Sequence, residues 1–161
     1  MKRWPSVILL ALLAGCTDVP PKPTTSCVDF HAYKDQQQIK DKLTIDRFTF
    51  DGGRESPIEF RDAGGAGGPK GTMGVQIKDH LYVGLDEPFT LFEVTYISNS
   101  AQPIRFETYA QDATILESRT FAAEPQQTPL VQPLQESKAT KLLGFYDGGG
   151  AGLLTKVCVT H

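Results

Sequence analysis

Polar and apolar residues alternate without a break over Ile104–Tyr109, and the same two-residue period returns along most of the chain. A strand sends successive side chains to opposite faces, so this pattern buries one face of a sheet and wets the other. Ile58-Glu59-Phe60-Arg61 alternates in the same way. Residues 43–50, "LTIDRFTF", are rich in β-formers and stop at Asp51-Gly52-Gly53. Residues 89–97 are apolar on both faces, as in a central strand, and 113–121, 141–146 and 153–159 complete the set. Short strands broken by turn residues predict an all-β fold, an antiparallel sandwich or barrel. "NSAQP" at 99–103 and "QDA" at 111–113 are expected as hairpin connections. Residues 33–42 predict a polar turn or a loop. Residues 122–133, with three prolines, predict a long loop or an edge crossing.

The first fifteen residues have a different character. Lys2 and Arg3 precede the apolar run 7–13, which ends in Ala14-Gly15. A basic start, a short apolar stretch and small residues make a secretory signal. The run is far shorter than the ~20 residues that span a bilayer. Leu13-Ala14-Gly15-Cys16 stands at the cleavage point and resembles the lipobox of bacterial lipoproteins. That resemblance implies that Cys16 becomes the first residue of the mature chain. It also implies a diacylglyceryl thioether on its sulfur and an acyl group such as palmitate on its amine. Two or more acyl chains anchor stably where one is marginal, at ~0.8 kcal/mol per buried methylene. Thr17 stands where an Asp would retain an enteric lipoprotein in the inner membrane. The expected address is therefore the outer membrane, facing the periplasm or the cell surface. Residues 16–26, with three prolines, read as an extended tether, and 27–161 as one domain.

With Cys16 lipidated, Cys27 and Cys158 remain. Two thiols in an oxidising compartment predict a disulfide, with a pair of buried free thiols as the alternative. In each segment the neighbours of the cysteine are apolar, Val28 after Cys27 and Val157 and Val159 around Cys158. Both thiols therefore leave the face opposite the apolar one, and a bridge would tie the first strand to the last.

The order of strands also resembles extracellular carbohydrate-binding modules and galactose-binding-like domains of the jelly-roll type. The resemblance rests on the Cys-Val-Asp-Phe start, on "LTIDRFTF", on "FTLFEVTYIS" followed by "IRFETYAQDATILESRTF", and on "LLGFYDGGGAGLLTKVCVTH". It implies a jelly-roll sandwich and a ligand on a sheet face or an end loop.

Two loops share the pattern Asp-[Ala/Gly]-Gly-Gly-Ala-Gly, from Asp62 and from Asp147. Neither ends in the Gly-Lys-[Ser/Thr] of a phosphate cradle. They read as wide turns, or as loops whose amides and carboxylates, Asp62 and Asp147, face a ligand. Calcium needs six to eight oxygens. By the jelly-roll resemblance, Asp29 supplies an acid on the first strand, but Lys156 stands where the last strand would supply another. Calcium is thus an open alternative to having no cofactor. Sugar recognition favours aromatic platforms. The one tryptophan, Trp4, lies in the signal, which leaves Tyr82, Tyr96, Tyr109 and Tyr146. Tyr109 is the best candidate for an exposed ring, because it shares a polar face with Arg105 and Glu107.

Losing Lys2 and Arg3 with the signal moves the formal charge from −3 to −5, which speaks against nucleic acid as a partner. His31, His80 and His161 are far apart, and no catalytic His-Glu-x-x-His, Gly-x-Ser-x-Gly or Ser-x-x-Lys motif occurs. No catalytic residue is assigned, and the chain is expected not to be an enzyme. It is expected to be a membrane-anchored binding module for envelope or extracellular polysaccharide. The alternative is a protein-interaction lipoprotein serving an envelope protein complex. For that role "HLYVGL" at 80–85 is the expected open sheet edge.

Overall fold

A computed structural model describes residues 22–53, 56–66, 68–98, 102–121, 129–149 and 152–160. The expected signal, Cys16 and the tether up to residue 21 lie outside the described residues. Eleven antiparallel strands make up the described fold. They are β1 (Thr25–Asp29), β2 (Gln38–Ile39), β3 (Leu43–Ile45), β4 (Phe48–Asp51), β5 (Ile58–Asp62), β6 (Met73–Ile77), β7 (His80–Ser98), β8 (Ile104–Tyr109), β9 (Ile115–Thr120), β10 (Leu130–Asp147) and β11 (Gly152–Thr160). The all-β class and the antiparallel sandwich expected from the alternation are what the chain forms.

Two long strands organise the sandwich. β7 and β10 pair along most of their length, with register breaks between Gln135, Thr140 and Leu142. At that corner each strand changes layers. The second half of β7 pairs with β11, which also carries β1 and β6, and β5 and β2 continue the layer. The first half of β7 pairs with β4, while the second half of β10 pairs with β8 and then β9. The core between the layers holds all nine phenylalanines. Phe30 meets Phe50 edge-on at 5.2 Å, and Phe106 lies 5.4 Å from Phe145. Burying one such side chain stabilises the fold by roughly 1.5–3 kcal/mol.

Cys27 stands opposite Cys158 in register, with Cα atoms 4.0 Å apart, and the two form a disulfide. The bridge lies on the outer face of its layer, as the parity of the flanking valines requires: Val28 and Val157 are buried in the core. β1 begins two residues before the expected domain boundary, because Thr25 and Ser26 pair with Thr160 and Val159.

Four expectations need correction. Residues 43–50 are not one strand but a tight hairpin, with Ile45 paired to Phe48 and Asp46 at φ 51°. Asp is among the few residues that tolerate this left-handed conformation, so no glycine marks the turn. "HLYVGL" is not an edge, because β4 covers one side of it and β10 the other. "NSAQP" is not a hairpin connection, since β7 and β8 do not pair and each flanks β10. Residues 130–133 belong to β10 rather than to a loop, and Pro133 is accommodated opposite Glu93. The "QDA" turn does connect a hairpin, with Ala113 at φ 64° and the Ala110 N–H donating to the Thr114 carbonyl at 2.8 Å followed by Ala113 N–H to Ala110.

Candidate functional site

The layer built from β4, β7, β10, β8 and β9 buries Phe48, Phe50, Leu81, Val83, Phe106 and Phe145. Alternate positions therefore face outward, and the register lines them up in three rows across the strands. The first row runs His80, Tyr146, Arg105. The second runs Asp51, Tyr82, Gly144, Glu107. The third runs Thr49, Gly84, Leu142, Tyr109. Three tyrosines thus stand as near neighbours on one sheet face, separated by two glycines.

The glycines create the arrangement. At Gly144 a Cβ would come within 3.0 Å of the Tyr109 ring and 3.1 Å of the Tyr146 ring. Its absence lets those rings close over the strand. At Gly84 a Cβ would meet only Thr49, at 3.6 Å or more, so this glycine leaves an open floor.

The phenol groups are linked in sequence. Tyr109 Oη donates to Glu107 Oε2 at 2.5 Å, the Tyr109 and Tyr146 hydroxyls touch, and the Tyr146 and Tyr82 hydroxyls are 3.1 Å apart. Each phenol has one proton. Tyr109 donates its proton to Glu107, and Tyr146 donates its proton to Tyr82. Tyr82 accepts that bond and keeps its own proton for an outside acceptor. Glu107 also accepts from Arg105 Nε at 2.8 Å, and the Arg105 guanidinium lies 4.7 Å over the Tyr146 ring. Burial and the Glu107 carboxylate push the Tyr109 phenol up to about 12. Burial and the neighbouring phenols push Tyr146 up as well. These hydroxyls stay protonated across physiological pH and act as hydrogen-bonding groups.

A groove of about 450 Å³ runs over the Gly84 floor between Tyr82 and Tyr109, with Thr49, Leu142 and Ala113 also lining it. It continues past Lys42 and Asp51 to a compartment of about 570 Å³ at His80. At its other end, Tyr109, Ala113 and Leu142 are shared with a third compartment of about 520 Å³. Lys42 Nζ pairs with Asp51 Oδ2 at 3.0 Å, and the Gly53 N–H donates to Asp51 Oδ1 at 2.8 Å. Burial pushes the Asp51 carboxyl up, but Gly53, Lys42 and His80 together hold it below the usual range. Gly53 has φ 81°, and a Cβ there would overlap the His80 imidazole, which closes this end of the groove.

The expected site residues divide. Arg105 and Tyr109 lie on the tyrosine face, but Tyr109 is only 8% exposed and its ring is a wall rather than an open platform. The half-buried rings of this face are Tyr82 and Tyr146. Tyr96 is a core residue stacked on Phe121 at 5.0 Å. The carboxylate of Asp62 is turned inward on its own loop, accepting the N–H groups of Gly64 and Gly71. Asp147 is fully buried and accepts the Gly149 N–H at 2.9 Å. Neither faces the groove. Asp29 stands opposite Lys156 in register, and no group of three or more His, Cys, Asp or Glu side chains that suits a metal occurs among the described residues. The sequence reading did not single out Asp51, Lys42, Gly84, Gly144 or the binding of Glu107 to Tyr109. One signal was present: Tyr82-x-Gly84 and Gly144-x-Tyr146 put a tyrosine and a glycine on one face of adjacent strands.

No protein-family model matches the chain, and no curated protein does. Among solved structures, two mutant forms of a family 29 carbohydrate-binding module superpose with a TM-score of 0.49 at 9% identity. The alignment covers 86% of this chain and 93% and 92% of those chains. The low-affinity xylan-binding module CBM86 from Roseburia intestinalis has a TM-score of 0.40 at 11% identity, over 84% of this chain and 94% of that one. Likenesses at such identities concern the fold and carry no residue correspondence.

Proposed function

We propose that the protein is a non-catalytic carbohydrate-binding module that takes a glycan along the Tyr82–Tyr109 groove. The observation that carries this reading is the linked tyrosine face over the Gly84 floor. An aromatic ring suits the C–H face of a pyranose, and adjacent hydroxyls suit its polar rim. The carboxylates of the tyrosine face are already engaged, Asp51 by Lys42 and Gly53, and the buried Glu107 by Arg105 and Tyr109. That favours binding over acid–base chemistry. It also leaves the charges there balanced, which favours a neutral glycan. The protein-partner alternative loses its candidate edge, since 80–85 is paired on both sides.

Replacing Tyr82 by Ala is expected to weaken binding to a soluble neutral polysaccharide at least about tenfold, or ~1.4 kcal/mol, with the melting transition retained. Affinity electrophoresis against a panel of neutral and anionic polysaccharides measures this. Equal retardation of the two proteins in every gel would remove the tyrosine face from the site.

The reading includes a lipid anchor at Cys16 and an outer-membrane address, supported by the Leu13-Ala14-Gly15-Cys16 resemblance. Cys16→Ser is expected to move the protein from the membrane to the soluble fraction of a fractionated cell. Persistence of the variant in membranes would sink the anchor.

A further inference from the structure

The third compartment differs in chemistry from the tyrosine groove it continues. Pro88, Ala110, Ala113, Ala139 and Leu142 line most of it, with the exposed Gln111 beside them and the Tyr109 ring as the wall shared with the groove. The hydroxyl of Thr140 at its edge is already committed. It donates to the carbonyl of Tyr109 at 2.7 Å, with the Leu142 carbonyl at 3.0 Å, and accepts from the Leu142 N–H at 3.1 Å. A bare sugar edge set against Pro88, Ala110, Ala113 and Ala139 would leave hydroxyls on apolar groups, which costs the hydrogen bonds they make in water. The charged group at this rim is Lys141, whose ammonium donates to the Asp86 carbonyl at 2.7 Å. Two of its three donors remain for another acceptor.

An apolar wall beside a cationic donor fits a small group with a methyl and a carbonyl oxygen. We propose that this compartment takes an ester-linked acetyl substituent of the glycan held in the tyrosine groove, so that the module prefers O-acetylated chains. The inference rests on the groove being the glycan site. The acetyl methyl packs against Ala113, Ala139 and Pro88, and its carbonyl accepts from Lys141. A methyl ether would fill the wall but offer no carbonyl to the two remaining donors of the ammonium, so the ester is the better match.

The test uses the full chain with acetylated xylan and acetylated glucomannan, each beside its alkali-deacetylated counterpart, in a titration calorimeter. The expected result is at least about tenfold tighter binding of one acetylated polymer than of its deacetylated form. Ala139→Gln puts a polar chain into the compartment at an exposed position and is expected to abolish that preference while retaining the deacetylated affinity. Lys141→Met keeps the length of the side chain and is expected to reduce the preference. Equal binding of both forms overturns the inference and leaves the tyrosine groove standing. A preference that survives in both variants removes it from this compartment. No binding of any of the four polymers overturns the carbohydrate reading and this inference with it.

Discussion

Removing the Cys27–Cys158 bridge is expected to lower the unfolding free energy by about 5 kcal/mol. The two residues are 131 positions apart, so the bridge closes nearly the whole described chain into one loop. In the chain-entropy model a loop of this length restricts the unfolded ensemble by about that amount. The loss is large against the 5–15 kcal/mol that typically holds a domain together. It also falls on one place. Among the described residues β1 pairs only with β11, and without the bridge it is held by backbone pairing and by Val28 and Phe30. Urea unfolding of a Cys27→Ser/Cys158→Ser double variant beside the native protein measures the difference. A loss below about 2 kcal/mol would mean that the unfolded chain is already constrained, or that β1 contributes little to the cooperative unit.

The second large effect is a dependence of stability on pH, and it arises at the corner where β10 changes layers. Glu136 is almost fully buried there, and neither carboxyl oxygen finds a hydrogen-bond partner among the described residues. Arg119 Nε is 3.5 Å from one of them. Glu117 adjoins it and accepts from the Ser137 N–H at 2.6 Å and from the Ser137 hydroxyl. Burial, and the chance to donate to Glu117, push Glu136 up to about 7, above its ordinary value of 4.5. Contact with Glu136 and Ser137 pulls Glu117 down to about 2. The signs are opposite. The folded protein holds a proton on Glu136 more tightly than the unfolded chain does. That contribution is complete below pH ~4.5 and is lost as pH rises through about 7, amounting to about 3 kcal/mol. The contribution of Glu117 is present above its ordinary range and is lost only as pH falls toward 2. Stability is therefore expected to decline from pH 5 to pH 8, and Glu136→Gln is expected to flatten the decline. Denaturation midpoints at several pH values compare the two proteins, and a Gln variant with the native slope would clear Glu136 of the effect.

How much of this was legible in the sequence depended on whether a local pattern fixed the answer. The disulfide was legible because strand parity is local: Val28, Val157 and Val159 had to point inward, so Cys27 and Cys158 had to point out. The long strands were harder. A continuous β7 from His80 to Ser98 reads as two segments, since Asp86-Glu87-Pro88 in its middle resembles a turn and is in fact the corner between layers. Residues 80–85 looked like an edge because they form an uncharged apolar run after a break. The hairpin at Asp46 was hidden because an aspartate took the positive φ that usually announces itself as glycine. The site was half visible. Arg105 and Tyr109 followed from alternation on one strand. Their partnership with Tyr82, Tyr146 and Asp51 depends on register between strands far apart in the chain, which alternation does not encode. Asp62 and Asp147 illustrate the converse. Their glycine loops look like ligand loops, yet each carboxylate satisfies the amides that those glycines leave open.

The most direct measurement of the central claim is a chemical-shift titration of backbone amides with a soluble oligosaccharide that the affinity gels identify. The tyrosine groove predicts saturable shifts at Tyr82, Gly84, Tyr109 and Gly144, with Glu107 following as its hydrogen bond to Tyr109 adjusts. Shifts gathered instead around Leu91, Glu93 and Cys158 on the opposite face would contradict it.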